Sequence, residues 1–459
     1  MGKGWKKYIP NLCAALGVLL LAGCAAACMG LERGEPAQRA AVAAVLLVLA
    51  GVSALLLHME RVRREALLIL LLPIGAAFLV RALCLDYAGT DYKNFLVHWY
   101  LFFKENGGFA AVAHAVGDYN VPYLYFLAFI SYLPAPDLYL IKLFSIAFDV
   151  MLAWGCLRLV RSLTGERQES AAPLIAFAAA LLLPTAVLNG AYWGQCDAIY
   201  GALAVHAVAL LLEGKNKTSV ALMGLAFSFK LQAVFVLPLW GVLWLAKKVK
   251  FRELWVFPLT YLIVIIPAVL LGKPLQDTLL VYFNQAGEYS WLTLNAPSVF
   301  QFFPYDLSGP SGSGALHDAL SAAGVIAAAV PVLLLLGLGL RLGEKLDRQT
   351  CMAAAVVLAV GVPFLLPHMH ERYFFLADVL TLCWACSDIR RLPAAVLVEA
   401  SSAASYVMYL RLKFNWPFTL GGRYYVMIPE TLAMLGGLVF AVTGLIVCLR
   451  RGTAKEENT

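Results

Sequence analysis

The chain has 459 residues, 62% of them hydrophobic and only 14% charged, with a net charge of +7. Soluble domains carry about 25% charged residues, so a water-soluble globular class is excluded. Repeated apolar runs of about 20 residues imply transmembrane helices, not the short alternating segments of a β-barrel. The basic residues fall between apolar runs, where they set orientation, and no basic–aromatic block offers a nucleic-acid surface.

Lys3, Lys6 and Lys7 precede the first apolar run, which contains Leu21-Ala22-Gly23-Cys24. That tetrapeptide resembles a lipoprotein cleavage box. The apolar run continues to Leu31, so an uncleaved first span is expected. Spans are predicted near 8–30, 40–58, 66–85, 137–160, 171–188, 197–213, 253–271, 319–341, 350–366, 372–387, 393–412 and 426–449, twelve in all. With the N-terminus inside, every internal connection is basic. These carry Arg61, Arg63 and Arg64; Arg158, Arg161 and Arg167; Lys215 and Lys217; Lys247, Lys248, Lys250 and Arg252; Arg341, Lys345 and Arg348; Arg390 and Arg391; Arg450, Arg451 and Lys455. The external connection from 272 to 318 holds one lysine and no arginine. The charge rule therefore puts both termini in the cytoplasm.

Two segments do not fit as full spans. Residues 120–134 are apolar but too short, and counting them as a crossing would put the Arg158–Arg167 cluster outside. An interfacial or partly inserted external helix is expected there. Residues 218–246 lie between two basic internal connections, so a half-span hairpin bending near Phe229-Lys230-Leu231-Gln232 is expected. Irregular backbone at that depth must be buried in protein or line a cavity.

The unusual polar residues collect outside. In Asp91-Tyr92-Lys93-Asn94-Phe95-Leu96-Val97-His98-Trp99, helical spacing puts Asp91, Phe95 and His98 on one face. Asp91 reads either as a helix N-cap or as a carboxylate general base at the membrane surface. Asp118, followed by Tyr119, either caps the next helix or binds a hydroxylated substrate. The turn Asn189 to Asp197 holds Trp193, Gln195 and Asp197; the aromatics suit an interface belt, and Asp197 suits an N-cap equally well. Lys230 with Gln232 is a membrane-depth cation, costly and functional by default unless it snorkels. A phosphate is its natural partner. His368, His370, Glu371 and Arg372 share one short turn. The HxHE pattern lacks the i, i+4 spacing of helical zinc motifs, so no metal is expected, and an imidazole and a guanidinium facing an anion are better motivated. The connection 272–318 carries Tyr282, Phe283, Tyr289, Trp291, Phe300, Phe302, Phe303 and Tyr305. It reads as a membrane-lying segment, a sugar or lipid platform, or a lid. The ten cysteines lie mostly in apolar runs, and Cys383 and Cys386 form a CxxC without a second pair. They read as small buried residues.

A carboxylate base, cations for an anion and walls open to lipid suit transfer from a lipid-phosphate-linked donor to a hydroxyl. At this point the sequence resembles the GT-C superfamily of integral-membrane glycosyltransferases. It is similar to bacterial relatives of the GPI-anchor mannosyltransferases and of the dolichyl-phosphate-glucose-dependent glucosyltransferases. Asp91-Tyr92…His98-Trp99 resembles the family's first-loop Asp-aromatic…His-Trp. Asp118-Tyr119…Pro122…Tyr125 resembles its Asp-Tyr-Pro-Pro…Tyr, Phe229-Lys230…Gln232…Pro238 its Phe-Lys-Gln…Pro, and His368-Met369-His370-Glu371-Arg372 its His-x-His-Glu-Lys turn. The likeness covers residues 66 to about 380.

The resemblance implies an all-α polytopic fold with a catalytic module at 66–271, its first external loop at 86–136. An N-terminal hairpin (1–65) would precede it. An external aromatic-rich loop (272–318), a C-terminal module (319–449) and a cytoplasmic tail (450–459) would follow. It implies Asp91 as base in an inverting hexose transfer, of the mannose or glucose class, from a polyprenyl-phosphate sugar. Lys230, Gln232, His370 and Arg372 would meet the donor phosphate. His98, Trp99, Asp118, Tyr119, Trp193, Gln195 and Asp197 would meet substrate. No cofactor is implied, and the acceptor would be a hydroxyl of a glycan, lipid or protein at the extracytoplasmic face of a bacterial plasma membrane. The chain departs from the pattern in having two spans before the loop module, Asn120-Val121-Pro122 for a double proline, and Arg372 for lysine. Twelve spans also suit a secondary transporter or lipid-linked-sugar flippase. Repeat symmetry and paired broken helices are expected of such a protein, and the sequence shows one broken pair. A polymer ligase would want several loop arginines, which 272–318 lacks.

Overall fold

The structure is a computed structural model, described here for residues 7–165, 170–285, 290–309, 311–410 and 427–456. Tyr289 and Arg167 lie outside the described residues. The main helices are α1 (Ile9–Met29), α2 (Pro36–Met59), α3 (Arg64–Leu83), α4 (Val97–Glu105), α5 (Val121–Ile130), α6 (Asp137–Thr164), α7 (Ala172–Leu182) and α8 (Asp197–Leu212). They continue as α9 (Asn216–Phe229), α10 (Pro238–Leu245), α11 (Val256–Leu270), α12 (Ala315–Leu342), α13 (Arg348–Leu365), α14 (Phe375–Ser387), α15 (Leu392–Leu410) and α16 (Ile428–Glu456). Two short strands, β1 (Thr293–Leu294) and β2 (Met369–His370), pair in parallel. Prolines at the first or second position start α1, α2, α5, α7 and α10, where the missing N–H costs nothing.

The fold is an all-α polytopic membrane protein. Among the described residues, nine helical stretches are long and apolar enough to cross a membrane. The other three predicted spans are also helical: α8 has 16 residues, α14 has 13, and α15 has 19 with a glutamate and several hydroxyls.

The chain packs as two compact units. The first comprises 1–158, 171–202 and 264–278; the second comprises 159–170, 203–263 and 279–459. In the first, α1 and α3 cross with their backbones almost touching. A Cβ on Gly17 would lie 2.3 Å from the Leu71 carbonyl oxygen, and one on Gly75 would lie 2.4 Å from that of Gly17. Small residues at such crossings gain packing where lipid supplies no hydrophobic drive. The hairpin 1–65 therefore packs in the same unit as the 86–136 segment. Its turn is bonded to that segment, with Glu32 N donating to both carboxylate oxygens of Asp86. Helix α5 is too short to span, as expected, but eight of its ten residues are buried in protein.

In the second unit the 218–246 segment breaks as predicted. Helix α9 ends at Phe229, Lys230 is extended (φ −155°, ψ 134°), a 3-10 turn follows at Leu231–Phe235, and Pro238 opens α10. The aromatic-rich connection is partly folded into this unit. Phe300 is buried, whereas Phe283 and Phe302 are exposed. Leu292 N donates to Ser308 O, and β1 pairs with β2.

One ion pair lies fully inside the first unit. Arg81 Nε and Nη2 each stand 2.9 Å from Asp149 Oδ2, while Nη1 donates to Ala77 O and Leu181 O. This joins α3, α6 and α7. Removing one partner leaves an uncompensated buried charge, typically about 3–5 kcal/mol destabilising. Arg81→Met should lower stability on that scale, and Arg81→Met with Asp149→Leu should recover most of it, measured as thermal midpoint in detergent.

Candidate active site

In the first unit the candidate residues gather around a carboxylate–amide contact. Asp91 opens a π-helical turn (Tyr92–Leu96) that runs into α4, and its side chain makes no cap bond to that turn. The N-cap reading of Asp91 is therefore corrected. Its Oδ2 accepts a 2.7 Å hydrogen bond from Gln195 Nε2, 104 residues away. Tyr119 Oη donates to Gln195 Oε1 at 3.3 Å, which orients the amide with its N–H toward Asp91. Gln195 is 4% exposed. The structure thus makes Gln195 and Tyr119 a chain behind Asp91. A π-turn closes i to i+5, so the 3.6-residue spacing that aligned Asp91, Phe95 and His98 does not run through it.

Gln195 follows a second π-helical turn, Val187–Trp193, closed by Gly194 at φ +85°. Such turns are rare and often found at functional sites; here one lies on each side of the Asp91–Gln195 bond. Asn189 Nδ2 donates to Asp197 Oδ2 at 2.8 Å, and Asp197 N donates to Asn189 Oδ1 at 3.2 Å. Both residues are fully buried, as is Trp193. Asp197 therefore closes its own turn, and Asn189 is a structural partner the sequence reading passed over.

The rim is aromatic. Trp99 meets Tyr119 edge-on at 5.6 Å, and Tyr87 stacks on Tyr192 at 3.8 Å. Burial and the Asp91 charge both push the Tyr87 phenol up. His98 and Asp118 are exposed. The cap of α5 is Asn120, whose Oδ1 accepts from Val121 N at 2.8 Å; the capping reading of Asp118 is corrected, two residues too early.

Helix α6 holds these pieces. Its Asp137 accepts from Tyr92 Oη at 2.8 Å, Tyr139 donates to Asp86, Lys142 donates to the carbonyls of Cys84, Leu85 and Tyr87, and Ser145 donates to Gln195 O at 2.6 Å. Burial, then the Asp137 bond, push the Tyr92 phenol well up, so it stays a neutral donor.

In the second unit the turn after Lys230 and the turn that carries His370 and Arg372 meet through an aromatic pair, Phe235 and Tyr373. Tyr373 stands 5.1 Å from the His370 ring and 6.5 Å from Phe235, and the Arg372 guanidinium lies 5.8 Å over it. Phe235 closes the 3-10 turn that follows Lys230 and carries Gln232. Lys230 and Gln232 are 6% and 7% exposed. Between His370 and Arg372 sits Glu371, fully buried, with Oε1 accepting from Arg372 Nη1 at 3.0 Å and Oε2 3.9 Å from His370 Nδ1. No separate role was expected of Glu371; its place between two cations in the motif was the available signal. His368 is anchored through both ring nitrogens, to Trp291 O and Ser321 Oγ.

No protein-family model and no curated protein matches the chain.

Burial alone would push the Glu371 carboxyl up, but the His370 bond and the charges of His370 and Arg372 outweigh it and hold the group below its ordinary 4.5. The unfolded chain then binds this proton more readily than the folded one. The stability Glu371 supplies is complete above pH 4.5 and is lost as pH falls through the lowered value. Glu371→Gln should remove that component. Thermal midpoints measured through this range should fall less steeply with acid in the variant; parallel slopes would show that Glu371 is not held as described.

Proposed function

We propose that this chain is a GT-C-type integral-membrane glycosyltransferase that moves a hexose from a polyprenyl-phosphate donor to a hydroxyl acceptor. The observation that carries this reading is the Asp91–Gln195 contact, a carboxylate oriented by a nearly buried amide between two π-turns. A carboxylate has about four lone-pair sites, so the Gln195 bond to Oδ2 leaves acceptor capacity for an incoming hydroxyl proton. In the proposed step, the acceptor oxygen forms a bond to the anomeric carbon as its proton passes to Asp91. The bond from that carbon to the phosphate oxygen breaks, and the phosphate leaves with the electron pair on the opposite side, inverting the centre. Lys230, Gln232, His370 and Arg372 take the donor-phosphate role, and stabilisation of the departing charge is their contribution. His98, Trp99 and Asp118 take the acceptor side.

In this reading the chain crosses the membrane twelve times, with both termini cytoplasmic and Asp91 extracytoplasmic. The basic internal connections support that orientation. Donor and acceptor would arrive through the bilayer or from outside it, and no cofactor is required by the step.

The test is direct. Purified protein is incubated with labelled polyprenyl-phosphate mannose, glucose and arabinose, and consumption of lipid-linked sugar is followed. Asp91→Asn should insert and fold normally while transfer falls at least about a hundredfold, the usual scale for a general base. Wild-type turnover in that variant would remove Asp91 from the base role.

A further inference from the structure

Lys142 is fully buried on α6 in the midst of an apolar helix. Burying an ammonium costs several kcal/mol unless its hydrogen-bonding capacity is met. Here it is met without a carboxylate. The Nζ donates to the main-chain oxygens of Cys84, Leu85 and Tyr87 at 2.8, 3.0 and 2.8 Å. Those are the three donors an ammonium has. The acceptors lie just past the end of α3, where carbonyls lack intrahelical partners and the helix dipole is negative. Water is scarce inside the protein, so one cation fixes the path of the chain as it leaves α3.

That path leads to Asp91 four residues after Tyr87. The other half of the site hangs on the same stretch of α6. Ser145, one turn beyond Lys142, donates to Gln195 O at 2.6 Å. The stem of Lys142 runs alongside Gly194, the residue before Gln195: a Cβ built there would lie 3.7 Å from Cγ and 3.8 Å from Cε. The head of one lysine thus holds the segment that carries Asp91, and its stem packs against the turn that carries Gln195.

We infer that Lys142 is a positioning residue that sets the register between Asp91 and Gln195. The inference rests on the transferase reading for its kinetic consequence. A misplacement of about 1 Å at a reacting group costs about a hundredfold in rate, while substrate contacts made elsewhere are retained. Arginine does not substitute, because a planar fork cannot put three N–H groups onto three carbonyls around one point.

The experiment compares wild type, Lys142→Met and Lys142→Gln in lipid nanodiscs. Glycosyl transfer is followed by kcat and donor KM, and amide hydrogen exchange is followed by mass spectrometry. Expected for Lys142→Met are a fall in kcat of about a hundredfold, a donor KM within about twofold of wild type, and faster exchange confined to residues 84–96 and the 187–197 turn. If Lys142→Met does not fold, Lys142→Gln, which keeps a shorter polar head, carries the same expectations. Wild-type kcat in a folded variant overturns the inference. So does faster exchange spread through the whole first unit, which would make Lys142 a general stability residue. If wild-type protein transfers from none of the donors, the transferase reading fails instead, and exchange at 84–96 still decides whether Lys142 sets this segment.

Discussion

Buried charge in this protein must be answered by protein, and α6 carries two of the buried charged side chains, Lys142 and Asp149. Asp149 neutralises Arg81, and Lys142 takes up the carbonyls beyond α3. These are not interchangeable devices. The ion pair joins three helices and is strong only while both partners remain. The ammonium spends itself on main-chain dipoles and so governs backbone path. Ser145 lies between them, and Asp137 and Tyr139 precede them, each bonded to a segment that a helix of hydrocarbon side chains could not hold.

The loops that carry the site are accordingly not loose. Two π-turns, each widening a helix by one residue per turn, aim Asp91 and Gln195 at one another. Gly194 in the left-handed region ends the second, a conformation open to glycine at little cost. In the second unit the same economy operates with different parts. The turn that presents His370 and Arg372 is fastened by the β1–β2 pairing, by His368 and by the buried Glu371.

Much of this was legible in the sequence. Apolar runs gave the polytopic helical class, and the length of 218–246 gave the break at Lys230, since a chain that must turn back needs a bend. Asp91 stood out as a carboxylate in a membrane-flanking stretch. Its partner did not, because a bond across 104 residues leaves no local spacing to read; Gln195 and Tyr119 were accordingly expected to face substrate. Asp118 was one of two open readings for the cap of α5, but the cap is Asn120, two residues on, an offset typical of reading caps by residue type alone. Burial of α5 was missed for another reason: its uniform apolarity suits lipid and protein neighbours equally. Arg81, Lys142 and Asp149 are the clearest lost signal. Each is a charge inside an apolar run, which is functional or structural by default.

The amide at position 195 has a further consequence. A histidine or a second carboxylate beside Asp91 would change charge within ordinary pH and would pull on it differently in acid and in base. A glutamine does neither. Its N–H is offered unchanged whether Asp91 is ionised or has just taken up a proton, and Tyr119 keeps it from turning over. This hold on Asp91 is therefore indifferent to the proton traffic that the proposed chemistry sends through it.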